Sequence, residues 1–215
     1  MLFTRRARIL PGVEETRKGL AMSREVNLKD GTPVVVRPMR DRDLDRSLAF
    51  FEALPAEDKA YLRRDVSRRE VVEERIRAME SGRVKRIVAV ADDRIVADAA
   101  LELERDRWKT HVAELRLIVA RDYQRRGLGR LMARELYSVA ADAKVEEIIV
   151  KMMRPQVAAR SIFRKLGFHE ETLLPDYVKD VTGHKQDLIL MRCDLEALWR
   201  ELEDFIATGD FQRTR

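Results

Sequence analysis

The chain is poor in the residues that build metal centres, disulfides and membrane spans. Cys193 is its single cysteine, so no internal disulfide can form, and only three histidines, His111, His169 and His184, are scattered along it. This supply argues against a metal cluster. No apolar run approaches the ~20 residues that span a bilayer, and "MLFTRRARILPG" lacks the apolar stretch of ~7–15 residues of a secretory signal. These absences predict a soluble cytoplasmic protein without metal or membrane partner.

Charged residues, in contrast, are abundant. The 215 residues include 43 basic and 38 acidic side chains, and 45% of the chain is hydrophobic. That apolar content can build a core, and the length fits one large domain with extensions or two small ones. The net charge of +5 suits a polyanionic ligand, but the interleaving of both signs is typical of solvated helix faces. A nucleic-acid-binding module is disfavoured, because the basic residues lack interleaved aromatics.

The order of predicted elements indicates a mixed α/β fold. Residues 1–32 are interpreted as an N-terminal extension, 33–195 as one domain and 196–215 as a helical tail. Within the domain, "PVVVRPM" predicts a first strand, and two helical regions follow up to Gly82. Three strands, a helix near 127–142, a strand, a helix near 155–166 and two closing strands complete it. Such an order predicts a mixed sheet with helices on its faces.

The turn "RDYQRRGLGR", residues 121–130, joins a predicted strand to a predicted helix. Backbone N–H groups at a helix N-terminus are free to bind anions, and the helix dipole favours negative charge there. Gly127 and Gly129 permit close approach of a ligand, and Arg125, Arg126 and Arg130 add positive charge. The pattern matches neither the Rossmann fingerprint nor a Walker A loop. It suits a pyrophosphate, although an ordinary glycine turn with solvated arginines fits the same residues.

The hexapeptide "QRRGLG" within this turn resembles the Gln/Arg-x-x-Gly-x-Gly/Ala signature of the GNAT family of N-acetyltransferases. The resemblance extends over residues 33–195, through the strand "AELRLIV", the helix "LMARELYSVA" and the later "AARSIFRKLGF". It implies the acyl-CoA N-acyltransferase fold, with a twisted mixed sheet of six to seven strands flanked by helices. The "AE" before the apolar run is most similar to the protein-lysine acetyltransferase branch.

The resemblance also implies where acetyl-coenzyme A, the one co-substrate expected, would bind. The backbone of Leu117, Ile118 and Val119 is expected to pair with the pantetheine arm. Gln156 and Phe163 stand where the family has a cofactor-contacting asparagine and a tyrosine. The expected pyrophosphate site consists of Gln124, Arg125, Arg126, Gly127, Leu128, Gly129 and Arg130.

Glu114 is expected to act as the general base, since many relatives of the family carry a glutamate here that deprotonates the amine, often through water. A carboxylate inside an apolar strand needs a partner or a purpose. Partial burial is expected to raise its pKa toward a useful range. The alternative is a structural ion pair with Arg116, which shares its face of the strand.

The general acid is less clear, because Phe163 stands at the position of the family's tyrosine and cannot donate a proton. Either the thiolate leaves without an acid, or the domain is a degenerate acyl-CoA sensor. Tyr123, Tyr137 and Tyr177 remain as substitutes. Tyr177 is the best placed of them, in a predicted loop between the closing strands, whereas Tyr137 lies in a helix and is expected to belong to the core.

These features predict a coenzyme A-dependent N-acetyltransferase that moves an acetyl group to a primary amine by direct attack in a ternary complex. The alternative is a non-catalytic acyl-CoA-binding regulatory domain. The acceptor is a protein lysine, an N-terminus or a small amine, and the sequence leaves a homodimer open. Asp176, Asp180 and Asp187, in or near the predicted 174–184 loop, are candidates for attracting a cationic amine.

Overall fold

The computed structural model describes residues 23–66 and 68–198, and this part of the chain forms one mixed sheet of eight strands. The order across the sheet is β1-β2-β3-β4-β5-β6-β8-β7, and every neighbouring pair is antiparallel except β5 and β6. The strands are β1 Arg24–Asn27, β2 Pro33–Pro38, β3 Val84–Ala91, β4 Arg94–Leu103, β5 Val112–Val119, β6 Glu147–Met153, β7 His169–Lys179 and β8 Lys185–Asp194.

Five α-helices cover the two faces of this sheet within the described residues. They are α1 Leu44–Glu52, α2 Ala56–Lys59, α3 Arg69–Glu80, α4 Leu128–Asp142 and α5 Val157–Arg164. The main core lies between the sheet and α4, where Leu128, Met132 and Leu136 are fully buried. A second core on the other face joins Phe50 and Phe51 of α1 to α3 and the sheet. The buried apolar residues of α1, α3 and α4 recur at helical spacing and pack in these two cores.

Two turns follow directly from the local sequence. Asp92 and Asp93 link β3 to β4 with φ values of 47° and 62°, the left-handed pair that a two-residue hairpin turn needs. Gly167, with φ of 91°, ends the turn after α5 in a conformation that glycine adopts without strain.

The structure changes three expectations. The sheet has eight strands among the described residues rather than six or seven. The additional strand β1 lies within the predicted extension 1–32 and pairs with β2, so residues 24–27 belong to the sheet. The strand β7 is longer than the sequence indicated and includes Tyr177, which therefore does not lie in a loop.

The outer parts of the two predicted extensions, residues 1–22 and 199–215, lie outside the described residues. Residues 195–198, where the predicted domain meets the predicted tail, are helical. In the described ranges no helix is long and apolar enough to cross a membrane.

Candidate acetyl-transfer site

The central parallel pair of strands separates after a short contact. Val112–Glu114 of β5 pair with Glu147–Ile149 of β6, and no further pairs between these two strands occur in the described chain. Leu117, Ile118 and Val119 still pair with β4 on their other side, and their side chains are half-buried. This leaves the edge of β5 that faces β6 available to an extended ligand, as the resemblance implied for these three residues.

The glycine turn continues from the open end of β5 into the N-terminus of α4. Gly127 is the N-cap residue with φ of 89°, and Arg125 also has a positive φ, 61°. Leu131 donates the first N–H bond to the carbonyl of Gly127, at 3.1 Å. The preceding N–H groups of Leu128, Gly129 and Arg130 are therefore the free donors of the helix start. They and the helix dipole suit an anion of the size of a diphosphate.

The turn lies against the separated part of β5. A Cβ added at Gly129 would lie 3.7 Å from the Val119 side chain and 3.8 Å from that of Leu117. The free N–H groups of the helix start and the open strand edge thus belong to one continuous surface.

Three of the four arginines of the turn, at positions 125, 126 and 130, were expected to add charge, and they differ in their surroundings. Arg126 forms an ion pair with Asp30 at 3.0 Å, contacts Thr32 and lies over the Tyr123 ring. It fastens the turn to the β1–β2 hairpin. Arg125 and Arg130 are exposed and form no ion pair with any residue that the structure describes. They are the side chains free to meet a diphosphate.

Two glutamines expected at the cofactor are held by the backbone. The Gln124 amide donates to the Val119 carbonyl at 3.0 Å, so one acceptor of the predicted pantetheine-binding edge is already bound. Gln156 accepts a bond from the Met153 N–H at 2.8 Å and shapes the end of β6. Leu128 contributes only its backbone, because its side chain is fully buried.

The aromatic residues considered for the general acid are dispersed. Phe163 is buried, with its ring edge-to-face against Phe168 at 5.2 Å. Tyr137 belongs to the core and donates its hydroxyl hydrogen to the Leu166 carbonyl at 2.7 Å, and burial raises its pKa strongly. Tyr123 is buried beneath Arg126. Tyr177 is 65% exposed, beside a bulge of β7.

Glu114 occupies the point where β5 and β6 separate, and it is only 6% exposed. One oxygen forms an ion pair with Arg63, and the other accepts from the Lys151 ammonium group at 2.8 Å. Arg116 is more distant, at 3.7 Å, and bonds to Glu102 at 2.8 Å. The expected pair with Arg116 is therefore the weakest of three contacts.

The direction of the Glu114 pKa shift corrects the sequence-based expectation. Burial alone would raise the pKa, but the hydrogen bonds and charges of Arg63 and Lys151 outweigh it, so the pKa lies below its ordinary value. Glu114 is therefore a carboxylate at neutral pH, available as a proton acceptor but a weak one.

A cleft of about 480 Å³ lies beside the ion-pair cluster of Glu114, although Glu114 itself does not line it. It lies between residues 60–65, the end of β6 and the β7–β8 hairpin. Arg63 and Lys151, the two main partners of Glu114, both line it, together with Tyr61. None of these three was identified from the sequence, because nothing in their local pattern marks them. Tyr177 is not among the lining residues.

Two of the three acidic residues expected to attract a cationic amine, Asp180 and Asp187, have carboxylates engaged in local bonds. Asp180 accepts bonds from Thr182, His184 and Gln186 in the turn between β7 and β8, and these bonds lower its pKa to about 2. Asp187 pairs with Arg154 at 2.9 Å and holds the backbone N–H of Asp176. These carboxylates order the hairpin.

Residues 48–168 match the model of the Acetyltransferase (GNAT) family. The chain belongs to this family. The mixed α/β fold class and the assignment to the acetyltransferase family, both predicted from the sequence, are thereby confirmed.

A curated relative is the [ribosomal protein bS18]-alanine N-acetyltransferase of Salmonella typhimurium, 29% identical over 100 residues. The match covers 46% of this chain and 65% of the relative, so the chain spans less than two thirds of that protein's length.

Two solved structures show the shared fold. One is the ribosomal-protein-S5-alanine acetyltransferase from Vibrio fischeri, with a TM-score of 0.69, 14% identity, and coverage of 81% of this chain and 97% of the other. The GNAT domain of S. lividans PAT gives 0.66 at 16% identity, with coverage of 80% and 96%.

Proposed function

We propose that this GNAT-family protein transfers an acetyl group from acetyl-coenzyme A to a primary amine, by direct attack in a ternary complex. The observation that carries the proposal is the continuity between the open edge of β5 and the N-terminus of α4. A ligand with an extended arm and a diphosphate fits both at once. In this proposal the arm ends near the cleft that Arg63 and Lys151, the two main partners of Glu114, line.

In this proposal the diphosphate meets the N–H groups of residues 128–130 and the side chains of Arg125 and Arg130. The pantetheine arm lies along Leu117, Ile118 and Val119. Three residues expected at the cofactor act indirectly, because their side chains are committed elsewhere: Gln124, Arg126 and Gln156. They shape the turn and the end of β6.

In this proposal Glu114 acts as the general base and takes a proton from the acceptor ammonium group through a bridging water. The neutral amine then forms a bond to the thioester carbonyl carbon, and the carbon–sulfur bond breaks to release the coenzyme A thiolate. The remaining excess proton on the new amide nitrogen passes to that thiolate or to water. A thiol has an ordinary pKa near 8.5, so the thiolate can leave without a strong acid at neutral pH. Phe163, buried against Phe168, is compatible with this path.

The lowered pKa of Glu114 favours acceptors that give up a proton easily. An α-amino group has a pKa of about 7.7–8.0, against about 10.4 for lysine. The cations around the carboxylate also lower the pKa of an ammonium group held nearby. An N-terminal amine is therefore a better match than a lysine side chain, and the names of the bS18 and S5 alanine acetyltransferases agree with this preference.

A second candidate function is an acyl-CoA-binding domain without turnover. The observations in its favour are the core position of Phe163 and the two cations that hold Glu114. The two functions differ in one measurable respect, since both bind acetyl-coenzyme A but only one forms acetylated product.

The experiment combines calorimetry of acetyl-coenzyme A binding with a turnover assay on peptides, free amino acids, polyamines and lysine-containing proteins. The proposal expects binding together with acetylation of at least one N-terminal amine, faster than acetylation of a lysine in a matched peptide. Binding without any acetylation would select the non-catalytic function, and no binding at all would exclude both.

A further inference from the structure

The cleft that Arg63 and Lys151 line carries an excess of positive charge. Its lining includes four basic side chains and two acidic ones, Asp65 and Asp180. The basic ones are Arg63, Arg64, Lys151 and Lys179. A cleft of this charge repels a polycationic acceptor and attracts an acceptor that carries an anion beside its amine.

The basic residues are not equally available to a ligand. Arg64 forms an ion pair with Glu74. Arg63 and Lys151 share the single carboxylate of Glu114 and remain 38% and 32% exposed. Lys179 is exposed at the end of β7 and has no ion-pair partner in the described ranges. Arg63 and Lys179 therefore retain unused capacity for a negatively charged ligand.

The carboxylate of Asp180 also lines the cleft, but it does not neutralise Arg63 or Lys179. It accepts bonds from Thr182, His184 and Gln186, which hold it in the hairpin turn. A cationic ligand would have to compete with these donors. Among the described residues, Arg63 is ion-paired with Glu114, and Lys179 has no ion-pair partner.

We infer that the cleft selects an amine with a carboxylate next to it, such as an acidic peptide N-terminus, and that Arg63 and Lys179 recognise that carboxylate. The inference rests on the proposed function for the identity of the cleft as the acceptor site. An acceptor carboxylate near Arg63 also gives this guanidinium a second partner, which loosens its hold on Glu114 as the amine arrives.

The test uses two peptides that differ only at the residue after an N-terminal alanine, aspartate in one and lysine in the other. Arg63 and Lys179 should attract the aspartate of one peptide and repel the lysine of the other. The kcat/KM of the aspartate peptide should therefore be about tenfold higher, mainly because its KM is lower. The preference should shrink in 1 M salt, where the Debye length is about 3 Å. An equal or greater rate for the lysine peptide would overturn the inference.

The chain offers a matched pair of variants. Lys179→Gln removes a charge from the cleft, whereas Lys185→Gln removes one from the residue directly opposite on β8, which does not line the cleft. The first should reduce the preference by about two- to fivefold, the typical effect of one exposed charge pair. The second should leave it unchanged. Equal effects of both variants would contradict recognition by Lys179.

A binding measurement separates this inference from the proposed function. The N-acetylated forms of both peptides are titrated into the protein saturated with coenzyme A. Tighter binding of the acidic product supports the selectivity of the cleft even if no turnover is found. Equal binding of both products overturns the inference even if both parent peptides are acetylated.

Discussion

Replacing Glu114 by glutamine should separate the catalytic role of this side chain from its structural one. Glutamine keeps the size of the group but cannot take a proton. Turnover on an accepted amine should fall by about 10²–10⁴, the usual contribution of a general base. The affinity for acetyl-coenzyme A should hardly change, because the free N–H groups of residues 128–130 lie at the other end of the open strand edge.

The same variant should lower stability by an amount that follows from its neighbours. Removing one partner of a fully buried ion pair costs about 3–5 kcal/mol. Arg63 and Lys151 are 38% and 32% exposed and can turn toward water, so we expect about 1–2 kcal/mol. For a chain of this size that is about 2–8 °C in melting temperature.

The pH dependence of this loss has a definite sign. The pKa of Glu114 is lowered in the folded state, so its charge stabilises the fold above the ordinary glutamate value of about 4.3. The contribution disappears as the pH falls through the lowered pKa. Wild type and Glu114→Gln should therefore differ fully at neutral pH and converge in acid, as measured by thermal unfolding across a pH series.

A second variant tests whether Glu114 sets the acid limb of the reaction. Lys151→Met removes the ammonium group 2.8 Å from the carboxylate and should raise the Glu114 pKa. An opposite charge at this range shifts a carboxyl pKa by about 1–3 units, and the exposure of Lys151 favours the lower end. The acid limb of the pH profile of kcat/KM should move to higher pH by about one unit. Lys165→Met removes an exposed lysine that does not contact Glu114, so as a control it should leave the profile in place.

Two results would refute the reasoning. Unchanged turnover in Glu114→Gln with a lower melting temperature would assign the residue to structure alone. An acid limb that stays in place in Lys151→Met, while Glu114→Gln is inactive, would show that another group titrates in the reaction.

Three further variants test the surroundings of the site. Gly127→Val forces a β-branched residue to a φ of 89°, so it should lower the free energy of unfolding by about 1–3 kcal/mol, seen as a lower melting temperature. It should also weaken acetyl-coenzyme A binding at least about tenfold. Gly129→Ala, whose methyl group meets only ordinary contacts, should keep the wild-type melting temperature. Phe163→Tyr places a hydroxyl in the core and should reduce stability by about 1–3 kcal/mol while kcat stays within about tenfold; a gain of several hundredfold would mark the natural site as degenerate. Tyr137→Phe leaves the Leu166 carbonyl without its donor and should lower stability by about 1–2 kcal/mol in urea unfolding, with kcat unaffected.

The cofactor side of the site could be predicted from the sequence because its signals are local. The glycine of the turn, the strand before it and the helix after it are adjacent along the chain, and glycine at 127 is required by its left-handed conformation. The hairpin at Asp92 and Asp93 follows the same logic.

The acceptor side could not be predicted, because it is assembled from distant segments. Arg63 and Lys151 reach Glu114 from a loop after α2 and from β6, and neither has a motif that announces the contact. The sequence therefore indicated burial as the dominant influence on the Glu114 pKa, whereas two cations decide it. The strand β1 was missed for a different reason: "REVN" is only four residues long and mostly exposed, so it has no apolar pattern that predicts a strand.

The order of strands also determines when each half of the site can form during synthesis. A chain leaves the ribosome from its N-terminus, and strands β1 to β5 are neighbours in chain order. The strand β8 lies between β6 and β7, and it pairs with β6 along the whole of Glu147–Met153. The cleft therefore has no complete wall until residues 185–194 have emerged, whereas the strands and turn of the cofactor side are by then already available to fold.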